Sequence, residues 1–300
     1  MKKTAENRYP HSATLFKFCK EALEIRYEGN VKVIDQDVGA ILGYDPADCS
    51  HWKKGKKNIR ALSTLRSIAD HLAIDERLLI DIASGKVGLE EAVFEYRGYG
   101  SFALQGRSLE NLKKEFFKNP TRWQTDGGQK PFEEIFDTDR PSIVKAAEAV
   151  INAGNFAEAP VYLPEVYKLF NDINLIADDT IDRAIKIDTE SAGETSVTTV
   201  RYRGPEIRPY VRFLLAKELF KHLTRTKHAA FRRFEESPAE LLEIQANIFA
   251  GLLLIPGKML RKEVEVIDSS IDIIQQLAET FWTSKALMNQ RLRDYMEHLD

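Results

Sequence analysis

EIQANIFAGLLLIP, residues 243–256, is the stretch on which the fold of the second half of this chain turns. It lies inside SPAELLEIQANIFAGLLLI, which reads as a helix punctuated by Ser237-Pro238 in front and Pro256-Gly257 behind. Helical runs flank it on both sides, YVRFLLAKELFKHLTRT at 210–226 and SSIDIIQQLAETFWTSKALMNQRLRDYMEHL at 269–299. Further upstream, AIKIDTESAGETSVTTVRYRG at 184–204 alternates, is rich in threonine and valine, and turns at SAG and RGP, so it predicts a strand pair. Before that, SIVKAAEAVINAG predicts a helix with Ser142 as its cap and Gly154 near its end, and LPEVYKLFND a second helix. The half from Pro141 onward is therefore expected to be mixed α+β with helices dominating.

The rest of the chain has a different texture. Three hundred residues, 43% hydrophobic and 30% charged, are enough to bury cores in two domains of ordinary size. Residues up to about 90 predict short helices with short connections, at SATLFKFCKEALEIRY, QDVGAILG, ALSTLRSIADHLA and DERLLIDIA. Between about 93 and 140 the chain turns glycine- and aromatic-rich, which predicts a connector with some helix of its own, packed because Phe116, Phe117, Trp123, Phe132 and Phe136 need burial. The expected domains are thus 1–92, 93–140 and 141–300. Cys19 and Cys49 form no C-x-x-C spacing, which argues against a zinc ribbon or a disulfide framework and fits a reducing cytoplasm. No segment reaches the roughly 18 apolar residues of a membrane span, so a cytoplasmic protein with no membrane partner is expected.

A net charge of -3 gives no global attraction to nucleic acid, so any such binding must come from a local patch. One stands out. PADCSHWKKGKKNIR offers Ala47, Asp48, Ser50 and His51 on a short helix, followed by Lys53, Lys54, Lys56, Lys57 and Arg60 with no acid among them. A short helix in a groove about 12 Å wide, with cations on the flanking phosphates, is what sequence-specific reading of double-stranded DNA requires. Gln36, at a helix N-terminus, suits another phosphate, and Asp48 suits a cytosine amine. Lysines also favour helix C-termini through the macrodipole, so KKGKK alone would describe a solvated helix end equally well. The ordered set around it decides for DNA. Residues 35–79 resemble the helix-turn-helix of the XRE (lambda-repressor-like) family: Gln36 opens the first helix, Gly43 supplies the turn, Ser50 and Trp52 lie in the second helix and Gly55 ends it. The resemblance implies that Trp52 packs in the core and that the protein self-associates, as a homodimer on paired half-sites.

The C-terminal half resembles the ImmA/IrrE family of zinc-dependent peptidase-like domains. Its pattern E-x-x-A-N-x-F-A-x-x-L-L-x-P is met at Glu243, Ala246, Asn247, Phe249, Ala250, Leu253, Leu254 and Pro256. LLAKELFKHL, 214–223, runs parallel to the family's H-E-x-x-H helix, in which two histidines four residues apart leave one helix face toward zinc while a glutamate polarises a water. Here Lys217 and Lys221 stand at the ligand positions, Glu218 matches the general base and Glu243 the third ligand, while Phe220 replaces a small residue. A protonated lysine has three donors and no acceptor, so the resemblance does not carry the zinc site over and no cofactor is expected. The expectation is that a lysine ammonium replaces the zinc charge, with Lys217 or Lys221 paired to Glu218 and Glu243. Removing one partner of such a buried pair costs roughly 3 to 5 kcal/mol. The alternative is a shifted zinc site of Glu218, His222 and Glu243.

The expected fold is mainly α: a five-helix helix-turn-helix domain, then an α+β zincin-like domain with a small sheet. The expected function is a DNA-binding transcriptional regulator of prophage, toxin-antitoxin or stress type. Its degenerate peptidase domain would serve sensing, dimerisation, or binding of a protein partner or ligand. The alternative is an active metalloprotease that cleaves a repressor. His228 reads as a surface residue, and the basic run Arg225 to Arg233 leaves DNA, a protein partner and water all open as what it faces, a solvated face being the usual case for such a run.

Overall fold

Helix α1, Pro10–Arg26, buries Leu15, Phe16, Phe18, Cys19, Ala22, Leu23 and Ile25, too many positions for one stripe. Such a helix must be covered on several sides, and α1 is the hub of the first unit. The computed structural model describes residues 8–26, 32–72, 74–100, 124–125, 128–129, 138–181, 183–192, 195–204, 207–267 and 272–298. They fall into two compact units, Met1–Ser101 and Phe102–Asp300. In the first, α1 packs against each of five further helices: α2 (Asp35–Ala40), α3 (Pro46–Lys53), α4 (Leu62–Leu72), α5 (Glu76–Ser84) and α6 (Leu89–Gly100). The last crosses residue 92, where the composition suggested a boundary.

Helices α2 and α3 are short and close together. Gly43 turns the chain between them in the left-handed region, at φ 64°, where a side chain would be strained. Asp45 then caps α3 by accepting from the Asp48 N–H at 2.8 Å, with Pro46 in the first turn where its missing N–H costs nothing. Gly39 sets the approach, because a Cβ there would lie 3.0 Å from Cβ of Cys49.

In the second unit, the two-residue strands β1 (Gln124–Thr125) and β2 (Gly128–Gln129) pair antiparallel, and α7 is Arg140–Ala153, which starts two residues before the expected cap. Asp139, at φ 49°, holds the N-cap position, and Pro141 fits the first turn, so Ser142 lies inside the helix. Helix α8 is only Leu163–Tyr167. The chain beyond it becomes strand β3 (Ile173–Ala177), which pairs in parallel with β5 (Thr195–Tyr202) through Ile173 opposite Thr198 to Ala177 opposite Tyr202. Strand β3 is an addition to the strand pair that the sequence predicts. The predicted strand pair is β4 (Ile185–Ala192) and β5, antiparallel from Ile185 opposite Tyr202 to Ala192 opposite Thr195. The sheet order is β3-β5-β4.

The helices after the sheet are α9 (Pro209–Arg225), α10 (Ala239–Leu254), α11 (Gly257–Val266), α12 (Ile273–Thr280) and α13 (Lys285–His298), with a 3-10 turn at Ala229–Phe234. Their core centres on Phe220, whose ring lies 5.6, 5.1 and 5.1 Å from those of Phe231, Phe234 and Phe249. Phe231 is therefore core inside the basic run, while Arg225, Lys227, His228, Arg232 and Arg233 around it are exposed. Among the described residues the molecule is mainly α, with a small three-stranded mixed sheet beside the two-stranded β1–β2 pair, and the predicted dominance of helix with a small sheet is met. No single described helix is long and apolar enough to cross a membrane. The five connector aromatics lie outside the described residues.

Candidate functional site

Helix α9 buries Phe213, Ala216, Leu219, Phe220 and Leu223. With these facing the core, Lys217, Glu218 and Lys221 share the remaining side of the same two turns, since residues three and four apart are helix neighbours. Helix α10 packs on α9 and brings Glu243 to them. Lys217 Nζ donates to Glu243 Oε1. Lys221 Nζ donates to Glu218 Oε1 at 3.0 Å and lies 2.5 Å from Glu243 Oε2. The Lys217 ammonium also lies 5.6 Å from the ring centre of Phe213. Two ammoniums and two carboxylates thus form one neutral cluster. It is covered at Lys217 (12% exposed) and open at Glu243 (45% exposed).

The electrostatics agree with fixed charges. Burial pushes the Glu243 carboxyl up, but hydrogen bonds from Lys217 and Lys221 outweigh it and hold the group below the usual glutamate range. Burial likewise pushes the Lys221 ammonium down, and Glu243 with Glu218 outweighs that, leaving it raised. Above the cluster, Tyr167 donates its hydroxyl to the Leu215 carbonyl at 2.9 Å, and burial, then the nearby Glu218 charge, raise its phenol. Chemically, both positions that would carry imidazoles offer only N–H donors, and both carboxylates are already engaged. Zinc needs lone pairs from N, S or O, so this donor set does not fit it.

The other sequence candidates are placed differently. His222 is buried and faces Asp172, with Nε2 3.0 Å from Oδ2 though not aligned as a hydrogen bond. Burial, only partly offset by Asp172, lowers its imidazole below the ordinary value. Glu218, His222 and Glu243 are not gathered into one group, and among the described residues no three His, Cys, Asp or Glu side chains are placed to hold a metal. Arg212, five residues before Lys217 on α9, belongs to neither the LLAKELFKHL nor the EIQANIFAGLLLIP stretch. It is 1% exposed, donates Nη2 to the Val161 carbonyl at 2.8 Å, and is pushed down to about 10 by burial. Only the three-dimensional packing shows that this cation is inside.

In the first unit, Gln36 lies exposed in the first turn of α2, and Ala47 and His51 lie exposed on α3, with Ser50 half-buried. Trp52 is fully buried, donating Nε1 to the Ser12 carbonyl at 2.9 Å, with its ring 5.2 Å from that of Phe16. The basic segment is less uniformly free than its sequence suggests. Lys53 pairs with Asp35 at 2.5 Å, and Lys20 reaches the same carboxylate at 3.3 Å. Lys57 pairs with Asp48 at 2.9 Å and sits 3.8 Å from the Tyr44 ring centre. Asp48 is consequently engaged, and Lys54, Lys56 and Arg60 remain as exposed cations. The Asp35 partner had no local signal, being 18 residues from Lys53.

Both diagnostic stretches, and the helices that bring their side chains together, lie in one matched span. Residues 210–293 match the peptidase M78 family model, the IrrE N-terminal-like domain. That span runs from α9 through most of α13. The IrrE N-terminal-like match thus covers Lys217, Glu218, Lys221 and Glu243 together, but leaves the sheet and the whole first unit outside it. No curated protein and no solved structure matches the chain.

Proposed function

We propose that the protein is a sequence-specific DNA-binding transcriptional regulator whose IrrE-like domain has no zinc and no hydrolytic role. The observation that carries this reading is the occupation of both metal-ligand positions by ammoniums paired with Glu218 and Glu243. Replacing a divalent cation by two lysine charges satisfies the same carboxylates without providing a Lewis acid or a nucleophilic water. The domain is kept as a folded body for sensing, dimerisation or partner binding. DNA contact falls to the α2–turn–α3 segment. There Lys54, Lys56 and Arg60 contact phosphates, and Gln36, Ala47, Ser50 and His51 lie toward the duplex. Asp48 reads a base only if DNA displaces Lys57 from it. A cytoplasmic homodimer on paired half-sites suits a short recognition helix of this size.

A mobility-shift assay on DNA from upstream of the protein's own gene, with elemental analysis of the same sample, tests the reading. Retarded DNA without stoichiometric zinc is expected. Stoichiometric zinc, with cleavage of a repressor, would instead establish the metalloprotease.

A further inference from the structure

The second unit contains a cavity of about 280 Å³ between α7, the turn after it, the end of α10, the start of α11 and α13. Val144, Ala147 and Ile151 line it from one stripe of α7, and Leu252 and Met259, both buried, line it from α10 and α11. The Phe156 wall is set by the backbone. A Cβ at Gly154 would lie 2.1 Å from the Phe156 ring, Asn155 turns the chain at φ 51°, and the Phe156 N–H closes back on the Ile151 carbonyl at 3.1 Å. This left-handed helix end brings the ring to the cavity, where Val144, Ile151 and Phe156 are each left half-buried. Half-covered apolar side chains gain when an apolar molecule completes their burial.

Charge decides the kind of molecule. Lys258 and Glu148, 3.7 Å apart and both exposed at the rim, offset each other. Arg291, buried against the same cavity, is engaged within the protein, donating Nε to the Ile255 carbonyl at 3.1 Å. A carboxylate entering here would meet Glu148 and an ammonium would meet Lys258, and either would shed water against apolar walls that hold no counter-charge for it. A neutral molecule escapes both costs. Size follows from volume: an apolar cavity of about 150 Å³ takes a benzene ring, so this one admits roughly ten non-hydrogen atoms.

We propose that this cavity binds a neutral, mostly apolar molecule of about ten non-hydrogen atoms, its apolar end against Ala147, Phe156 and Leu252 and its polar end at the rim. The site does not depend on DNA binding, so it is tested without DNA and its failure leaves the regulator reading standing.

The experiment is calorimetric titration of the full-length protein with the straight-chain alcohols from pentan-1-ol to undecan-1-ol, and with octanoate and octylamine, for the native chain and Val144→Phe. Octan-1-ol is expected to bind once per chain. Along the series, affinity should rise about fourfold per methylene and stop rising near nonan-1-ol, where the cavity is full. Octanoate and octylamine, of the same size but carrying a charge of either sign, should each bind about tenfold more weakly than octan-1-ol. Val144→Phe, at a half-buried wall position, should weaken octan-1-ol about tenfold by filling the cavity. Absence of saturable octan-1-ol binding at millimolar concentration, octanoate or octylamine binding as tightly as octan-1-ol, affinity that keeps rising to undecan-1-ol, or binding indifferent to Val144→Phe would each overturn the assignment. If Val144→Phe does not fold, the chain-length series and the charged analogues decide alone.

Discussion

Glu243 holds the two cations of the C-terminal cluster, so its removal leaves both Lys217 and Lys221 short of a counter-charge. Because it is 45% exposed, water screens part of that loss, and the 3 to 5 kcal/mol scale of a fully buried pair is too large here. Glu243→Ala should lower stability by roughly 1 to 2 kcal/mol in urea melts. The pH dependence has a definite sign. Glu243, held low in the fold, contributes stability that is complete above its ordinary value of 4.5 and is lost as pH falls through the folded value. Lys221, raised in the fold, contributes stability that is complete below its ordinary 10.5 and is lost as pH rises through the folded value. The difference between native and Glu243→Ala proteins should therefore be flat through neutral pH and shrink in acid. Lys217→His with Lys221→His restores two imidazoles one turn apart beside Glu243. Elemental analysis should find stoichiometric zinc in that variant and lose it again when Glu243→Ala is added.

At the scale of single elements, α6 carries a conflict that its sequence does not advertise. Glu95 is pushed up to about 7 by burial, with the charge of Glu91 one turn away adding to it. A carboxyl raised in the fold binds its proton more tightly there than in the unfolded chain. It therefore costs stability progressively as pH rises from about 4.5 to about 7. Glu95→Gln should remove that slope and stabilise the protein by roughly 1 to 3 kcal/mol at pH 8, read from urea melts at pH 5 and pH 8. In α2, Gly39→Val should destabilise by about 1 to 3 kcal/mol, because its first carbon already touches Cys49 and a branched side chain forces α2 and α3 apart. Elements differed in how legible they were. The β4–β5 hairpin was readable because alternation and a local turn specify both strands. INLIA at β3 was not, because its partner is β5, some 20 residues on, and a parallel pairing leaves no adjacent turn to announce it. Likewise α8 stops at Tyr167 although its apolar spacing runs on, since Leu169 and Phe170 precede the chain's entry into the sheet.

For the whole molecule, the salt dependence of binding reports on the proposed DNA contacts. Each phosphate contact contributes about one unit to the slope of log affinity against log salt, so Lys54→Ala and Lys56→Ala should each reduce that slope by about one per bound domain. Lys57→Ala should reduce it less, because that ammonium must first leave Asp48. Fluorescence anisotropy with a specific duplex at several salt concentrations measures both. The sequence by itself determined the dominance of helix, the hairpin and the residue types at 217, 218, 221 and 243. Periodicity, local turns and fixed motif spacing are written within a few residues of one another. The pairing of a lysine with Glu243 was expected from the motif, but only the tertiary structure decided that both Lys217 and Lys221 converge on it, that His222 turns to Asp172, and that Asp35 neutralises Lys53. Those pairings join residues from 18 to 50 positions apart, and which charges meet depends on how whole helices pack, a choice made by burial of their apolar faces and not by the charged residues themselves.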